Sequence, residues 1–551
     1  MTVVPNSDVS TSTVGTGQRA IVTVRFLATG LVVLTCLRLA WIGDDALITL
    51  RTALNMTHGW GPGFNATESV QAYTHPLWFL IWSGVGSATN QWILGALVMS
   101  LLFTAIGVGL LAWRTRSIAR LIFVTALLLM SNAFIEYSTS GLENPMAYAA
   151  MGVLLAMTVG LRGGGSTPEL LWAGAFGASI AAVVLTRMDL ALVVLPIAAL
   201  AAYNGRRRPR ALGIGAAAAI VPLVLWFIWS YITYASFLPN TFAAKRNLDI
   251  PATELVVQGL RYLWVTFEHD PVTMVALAAG LGAALALGNR PARAWAIGVL
   301  LYSAYVVWIG GDFMAGRFFA VPVYVCVFLL ATVKVSTTDD SRPDAWQPQA
   351  VVVAIAASAL LLVGSSYAGS VPVALSNPQA ARWEFEWNKN GGIADERGVW
   401  VGGSGRGLFD IVNNLALDYT QPDIVWPSSS DSKSRSLREI DKATKNWPVG
   451  TAYIGLPSDT AVQCGGLGTA GIVSGPQVHL IDDCALTDRF LAERPFSARD
   501  FKWRVGDYHR ALPDGYLEAV RQNNPELVVS ELDEFRLKEL WSNIRPSQAL
   551  P

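Results

Sequence analysis

Gly43-Asp44-Asp45-Ala46 closes a hydrophobic run that begins at Ala20, and Tyr73-Thr74-His75-Pro76 opens the next apolar stretch. Two adjacent carboxylates at a membrane–water boundary are costly to place, and such residues mark a functional site by default. A carboxylate there can accept the proton of a weakly acidic hydroxyl or stabilise an oxocarbenium-like charge. An acidic pair can also hold a divalent cation, Mg²⁺ or Mn²⁺, through oxygen ligands and water. Asp44 and Asp45 are therefore expected to be catalytic, with Asp44 as the essential carboxylate. Asp is also a favoured N-cap, so Asp44 has a second reading as the cap of a helix over residues 45–56.

Further polar residues gather in the same class of segment. The first long loop carries Arg51, Tyr73 and His75; the loop near 138–144 carries Glu143; the segment 234–247 carries Asn240 and Lys245; and Gly310-Gly311-Asp312-Phe313-Met314-Ala315-Gly316-Arg317 carries Asp312 and Arg317. These eight are expected to bind substrate. A lipid-linked phosphate puts its anion at headgroup level, where Arg offers a planar fork of donors. Three of them have a plainer alternative. Arg317 and Lys245 can anchor the ends of apolar segments at the interface, and His75 before Pro76 can end a turn. No Cys/His spacing for zinc, no Walker loop and no dinucleotide-binding glycine motif is present in the sequence.

These side chains must be positioned by a membrane domain. The chain has 551 residues, 52% hydrophobic and 15% charged, and the charge deficit is concentrated in residues 20–370. A soluble domain carries about 25% charged residues. Apolar runs fall near 20–42, 91–113, 118–137, 145–161, 169–187, 188–203, 211–233, 271–288, 295–310, 318–335 and 349–368, giving about eleven transmembrane helices. The loops that carry the clusters Arg114/Arg116/Arg120, Arg206–Arg210, Arg290/Arg293 and Lys334/Arg342 are then cytoplasmic, and the intervening loops face outward. The acidic pair, the loop 310–317 and residues 369–551 then face outward, in a multi-pass plasma-membrane protein. Residues 76–88 and 254–268 are apolar but fit poorly as crossings, and both read as interfacial helices. A net charge of zero gives no sign of nucleic-acid binding.

The expected domains are a disordered cytoplasmic tail over 1–19, a transmembrane domain over 20–368 and a soluble mixed α/β domain over 369–551. In the last, Val399-Trp400-Val401 and Thr451-Ala452-Tyr453-Ile454 read as strands. Cys464 and Cys484 share this domain on the oxidising side, so a disulfide between them is expected. Cys36 and Cys326 lie in apolar spans and read as packing residues.

The ordered set of motifs resembles the GT-C superfamily of polyprenyl-phosphate-sugar glycosyltransferases. Within it, Asp44-Asp45-Ala46-Leu47-Ile48-Thr49-Leu50-Arg51, Gln71-Ala72-Tyr73-Thr74-His75-Pro76-Leu77-Trp78, Pro239-Asn240-Thr241-Phe242-Ala243-Ala244-Lys245, the segment Gly310–Phe318 and Trp503-Arg504-Val505-Gly506-Asp507-Tyr508 are similar to the terminal β-(1→2)-arabinofuranosyltransferases of mycolate-bearing actinobacteria. The resemblance spans most of the chain from residue 20. It implies a lipid-linked donor, decaprenylphosphoryl-β-D-arabinofuranose, and as acceptor the non-reducing ends of arabinan in arabinogalactan or lipoarabinomannan. Donor and product are both β-linked, so the implied reaction retains configuration. Asp44 is then a base, a nucleophile or an ion-pair stabiliser.

Two other functions remain open at this level. Protein O-mannosyl transfer uses a similar acidic loop. A transporter would carry its charged residues on into the cytoplasmic half of the spans, where few are found. The outward orientation is testable directly: a reporter active only outside the cytoplasm, fused after residue 370, should be active. Activity of a cytoplasm-specific reporter at that junction would reverse the placement of every loop above.

Overall fold

The computed structural model describes residues 10–159, 169–246, 248–333, 348–367, 369–383, 390–404, 407, 437–449, 459–462, 464–494, 496, 503–506, 508–528 and 534–544. The chain is mostly helical. Helix α1 (Ser10–Arg38) leads to α2 (Asp44–Thr57), α3 (Pro76–Thr89), α4 (Trp92–Arg114), α5 (Ile118–Met130), α6 (Asn132–Glu136) and α7 (Asn144–Thr158). There follow α8 (Glu169–Thr186), α9 (Ala191–Gly205), α10 (Pro209–Tyr234), α11 (Asn240–Arg246) and α12 (Ala252–His269). Helices α13 (Pro271–Leu287), α14 (Arg290–Trp308), α15 (Ala320–Thr332) and α16 (Pro348–Tyr367) complete the apolar part.

Among the described residues, five segments are long and apolar enough to cross a membrane: Arg19–Arg38, Trp92–Arg114, Glu169–Thr186, Met188–Gly205 and Pro209–Tyr234. Helices α12 and α13 pass the same test only as a pair, bent by 108° at their junction, which gives up to six. Each of the eleven expected runs coincides with a helix, but several are short, such as Ile118–Met130 and Arg317–Thr332. Helix α1 starts at Ser10, ten residues before the apolar run; residues 1–9 of the expected tail lie outside the described residues.

Local chemistry fixes the helix ends near the site. Asp270 caps α13 by accepting from the Thr273 amide at 3.2 Å, with Pro271 at the first helical position, and also accepts from the Ala133 amide at 2.8 Å. Asn289 caps α14 through the Ala292 amide at 3.1 Å. Helix α3, expected to lie at an interface, buries its tryptophans in protein: Trp78 donates to the Gly141 carbonyl at 3.0 Å and Trp82 to the Trp92 carbonyl at 2.9 Å.

The C-terminal region is mixed. Strands β1 (Asp459–Val462) and β2 (Val478–Ile481) form a two-stranded parallel sheet, joined by the helix Leu467–Ser474. Val399-Trp400-Val401, expected as a strand, lies in the helix Glu396–Ser404, where Trp400 Nε1 donates to Glu396 Oε1 one turn earlier at 2.6 Å. That local bond outweighs the β preference of the valines. The expected strand at 451–454 lies outside the described residues. Cys464 and Cys484 are bridged, with Cα atoms 5.5 Å apart, while Cys36 and Cys326 are buried free thiols.

The C-terminal region is tied to α2 by buried polar bonds. Arg51, fully buried, donates from Nε to the Phe64 carbonyl at 2.7 Å, from Nη2 to the Val478 carbonyl at 2.8 Å and from Nη1 to the Gly471 carbonyl. Its guanidinium lies 4.7 Å from the centre of the Phe64 ring. Arg51→Met keeps the bulk and removes all these donors. It should lower stability by about 3 kcal/mol, since stranded buried carbonyls bear their full desolvation cost. Thermal unfolding of the purified protein checks this; an unchanged midpoint would mean that water satisfies the carbonyls instead.

Candidate functional site

Helix α2 opens with both carboxylates in its first turn, where they favour the positive end of the helix dipole. The two then diverge. Asp44 is 5% exposed and turns toward the C-terminal region. Its Oδ2 accepts from the Gly468 amide at 2.8 Å, and its Oδ1 accepts from the Thr469 amide at 2.9 Å and the Thr469 hydroxyl at 2.5 Å. Asp44 thus satisfies the open amides of the helix Leu467–Ser474, not those of its own helix, whose N-cap is Gly43. Asp45, with its side chain 31% exposed, meets Arg317 at 3.3 Å. A cation shared by the pair is not favoured by this geometry, because the two carboxylates face different partners.

Asp45 is the accessible edge of a buried network. Arg317 Nη1 also lies 3.6 Å from Asp312 Oδ2 and 3.5 Å from Met314 Sδ. His75, set just before α3, bridges two elements: Nε2 is 2.8 Å from the Thr49 hydroxyl on α2, and Nδ1 is 3.2 Å from Glu143 Oε2. Glu143, at the start of α7, lies 3.6 Å from Arg187 Nε. Arg187 is clamped further by Asp189 at 2.6 Å and 3.1 Å, by Asn144 Oδ1 at 3.2 Å and by the Tyr302 hydroxyl at 2.9 Å. Its guanidinium lies 5.1 Å from the Phe318 ring centre. Burial raises the Glu143 carboxyl, but His75, Arg317 and Arg187 outweigh it and hold the group well below the usual carboxylate range.

The loop 310–319 carries Asp312 and Arg317 into this network because its glycines accept conformations that other residues resist. Gly311 has φ +77°, and a Cβ there would meet Tyr262 Cβ at 2.5 Å. Gly316 has φ +74° and packs against Ala133. Tyr262 on α12 donates to the Met314 carbonyl at 3.1 Å and accepts from the Phe318 amide at 3.2 Å, and Tyr137 donates to the Ala315 carbonyl at 3.2 Å.

Among the described residues, the buried Asn144 Nδ2 and Arg317 Nε of this network have no hydrogen-bond partner, and Asp312 Oδ2 has only its ion pair with Arg317. Such atoms are costly unless a ligand or water completes them. The network holds four carboxylates (Asp45, Glu143, Asp189, Asp312) against two guanidiniums (Arg187, Arg317), so a positive charge developing beside it is favoured. Among the described residues, the one cluster with metal-ligand geometry is Cys464, Asp483, Cys484 and His509, and its two sulfurs are spent on the disulfide.

Of the ten residues expected in catalysis and substrate binding, Asp45, His75, Glu143, Asp312 and Arg317 come together here. Tyr73 packs beside them, its ring centre 6.2 Å from that of His75, but it stacks on Phe79 and bonds the Tyr234 hydroxyl at 3.1 Å. Asp44 and Arg51 hold the C-terminal region. Asn240 donates to the carbonyls of Ala485 and Leu486 at 2.9 and 3.2 Å, and Lys245 is exposed on α11. Sequence reasoning assigned no role to Thr49, Asn144, Arg187, Asp189 or Tyr302. The available signal was Arg187-Met188-Asp189, two opposite charges interrupting a long apolar stretch, where charges are expensive.

No family profile matches this chain. Two characterised proteins do. The terminal β-(1→2)-arabinofuranosyltransferase of Corynebacterium glutamicum is 29% identical over 409 residues, covering 66% of this chain and 55% of that protein. The terminal β-(1→2)-arabinofuranosyltransferase of Mycobacterium tuberculosis is 27% identical over 532 residues, covering 86% of this chain and 81% of that protein. The chain thus spans only about half the length of the corynebacterial relative. Among solved structures, ArnT from Cupriavidus metallidurans in the apo state aligns with 95% of this chain and 91% of its own, at 14% identity and a TM-score of 0.46. The same protein bound to undecaprenyl phosphate gives a TM-score of 0.41. This chain is a distant homologue of the terminal β-(1→2)-arabinofuranosyltransferases.

Proposed function

We propose that this chain is a GT-C glycosyltransferase that transfers arabinofuranose from decaprenylphosphoryl-β-D-arabinofuranose to the non-reducing ends of cell-wall arabinan, forming terminal β-(1→2) linkages on the outer side of the plasma membrane. The observation that carries the reading is the partly exposed Asp45 carboxylate, held by Arg317 at the mouth of a buried, net-negative charge network. Homology to two arabinofuranosyltransferases supports the reaction class and the sugar.

The chemistry follows from charge. Departure of a lipid phosphate from the anomeric carbon leaves positive charge on the sugar, and an array of fixed carboxylates stabilises it without reorganising. Arg317 sits where the leaving phosphate can be met, and its hold on Asp45 and Asp312 keeps both carboxylates aimed. Asp45 is the carboxylate at the opening, so the proton acceptor, nucleophile or ion-pair role assigned from sequence to Asp44 passes to Asp45. The role of Asp44 is to anchor α2 to the helix Leu467–Ser474.

Purified protein incubated with radiolabelled decaprenylphosphoryl-arabinose and a synthetic arabinan acceptor should yield a terminal β-(1→2) linkage. Labelled mannose passing from a polyprenyl phosphate to a Ser/Thr peptide instead would replace the substrate assignment. In the same assay, Asp45→Asn should lower kcat roughly a hundredfold or more, as for loss of a general base or charge stabiliser, with little change in melting temperature. Asp44→Asn should show the opposite pattern: a few-fold loss of activity, and a destabilisation of about 1–3 kcal/mol from the amides it leaves short of an acceptor. Full turnover in Asp45→Asn, with collapse in a stably folded Asp44→Asn, would return the chemistry to Asp44. Arg317→Lys should raise the KM for donor, because charge is kept and the fork is lost.

A further inference from the structure

Helix α12 presents three distinct faces. Gln258, Gly259, Tyr262, Val265 and Thr266 are buried against protein, with Gly259 pressed on the Val307 backbone and Tyr262 holding the loop that carries Asp312 and Arg317. A second face is apolar and exposed: Val257 57%, Leu260 54%, Trp264 64% and Phe267 49%. Between them runs an exposed charged edge, Glu254, Arg261 and Glu268, repeating every seven residues and so nearly every two turns. This edge borders the C-terminal region, where Arg261 bonds Gln258 Oε1 at 3.1 Å, Gln258 bonds the Gly391 carbonyl at 2.9 Å, and Glu254, Arg261 and Trp503 line a recess of about 300 Å³. The helix meets the apolar α13 at 108°, nearly at right angles.

We propose that α12 lies in the plane of the membrane, with its apolar stripe seated in the headgroup and upper acyl layer of a lipid surface, and so fixes the height of the site above the bilayer. A helix with one protein face, one apolar face and one charged edge has a single orientation that satisfies all three, at an interface. If α13 crosses the membrane, a helix at 108° to it runs close to the membrane plane. The exposed stripe then continues the lipid-facing surface of the spans instead of standing alone in water. Tyr262 links this seat to the chemistry: it projects from the opposite face of α12 and bonds the main chain at Met314 and Phe318, on both sides of Arg317. The depth of α12 therefore sets the depth of Arg317, the group assigned above to the donor phosphate, and this last step rests on the proposed glycosyl transfer.

The seat is measured without any activity assay. The free thiols Cys36 and Cys326 are buried and the other two cysteines are bridged, so a maleimide fluorophore labels an introduced surface thiol selectively. Full-length Leu260→Cys and Glu268→Cys proteins, labelled and reconstituted in phosphatidylglycerol–phosphatidylcholine bilayers, are exposed to aqueous iodide or to lipids brominated near either end of the acyl chain. The Leu260 label should be quenched several-fold more by bromine near the carbonyl end than near the methyl end, and little by iodide; the Glu268 label should be quenched by iodide. Strongest quenching of Leu260 from the methyl end would make α12 part of a broken span. Equal iodide quenching at both positions would put the stripe in water. Either result overturns the proposal. The link to the site has its own readout: Trp264→Glu should raise the KM for lipid-linked donor several-fold with kcat retained, and Trp264→Phe should restore it. An unchanged KM in Trp264→Glu would sever the seat from the site.

Discussion

A guanidinium buried among apolar helices is tolerated only where its donors are met, because an uncompensated buried charge costs several kcal/mol. Arg187 is that group in this molecule. It joins the segment after α8 to α7 through Asn144 and Glu143, and to α14 through Tyr302, with Asp189 closing the remaining donors. Glu143 then holds His75, and His75 holds Thr49 on α2. Elements distant in sequence thus share one electrostatic keystone. Removing any member strands the next, so the network is better regarded as one unit than as a set of pairs.

The same logic separates the acidic pair into two functions. Consecutive residues at the first turn of a helix point about 100° apart, so one carboxylate can face the site while its neighbour faces away. Asp44 meets amides 424 and 425 residues later in the chain, and Arg51, two turns on, meets a carbonyl 427 residues later. The C-terminal region therefore fixes the helix from which Asp45 projects. Glu136 and Arg382, paired at 2.6 and 3.0 Å, make a second such tie on another side.

Much of this was legible in the residues themselves. Apolar runs separated by basic clusters locate the helices, since hydrophobic length and charge act locally. Asp45, His75, Glu143, Asp312 and Arg317 were found because a charge beside an apolar run is costly wherever it occurs. What local reasoning cannot supply is the identity of a distant partner. Asp44 resembles an N-cap, but its carboxylate accepts from the first-turn amides of a helix far downstream. Arg51 resembles a ligand-binding arginine until the carbonyls of Gly471 and Val478 are seen to take its donors. Arg187 lies between two apolar runs, and its partners Tyr302 and Asn144 become visible only in three dimensions. The valines at 399 and 401 followed helix chemistry set by Glu396 and Trp400 instead of their own propensity.

The clasp between α2 and the helix Leu467–Ser474 also imposes an order on biogenesis. Helix α2 leaves the ribosome early, carrying a buried arginine and an aspartate whose acceptors and donors have not yet been made. For more than four hundred further residues these charges must stay hydrated or be sheltered, while the apolar helices between them enter the bilayer. Contacts of such long sequence separation form late and slowly. Anchoring of α2 is thereby tied to completion of the chain, and a truncated product would insert into the membrane with Asp44 and Arg51 lacking their C-terminal partners.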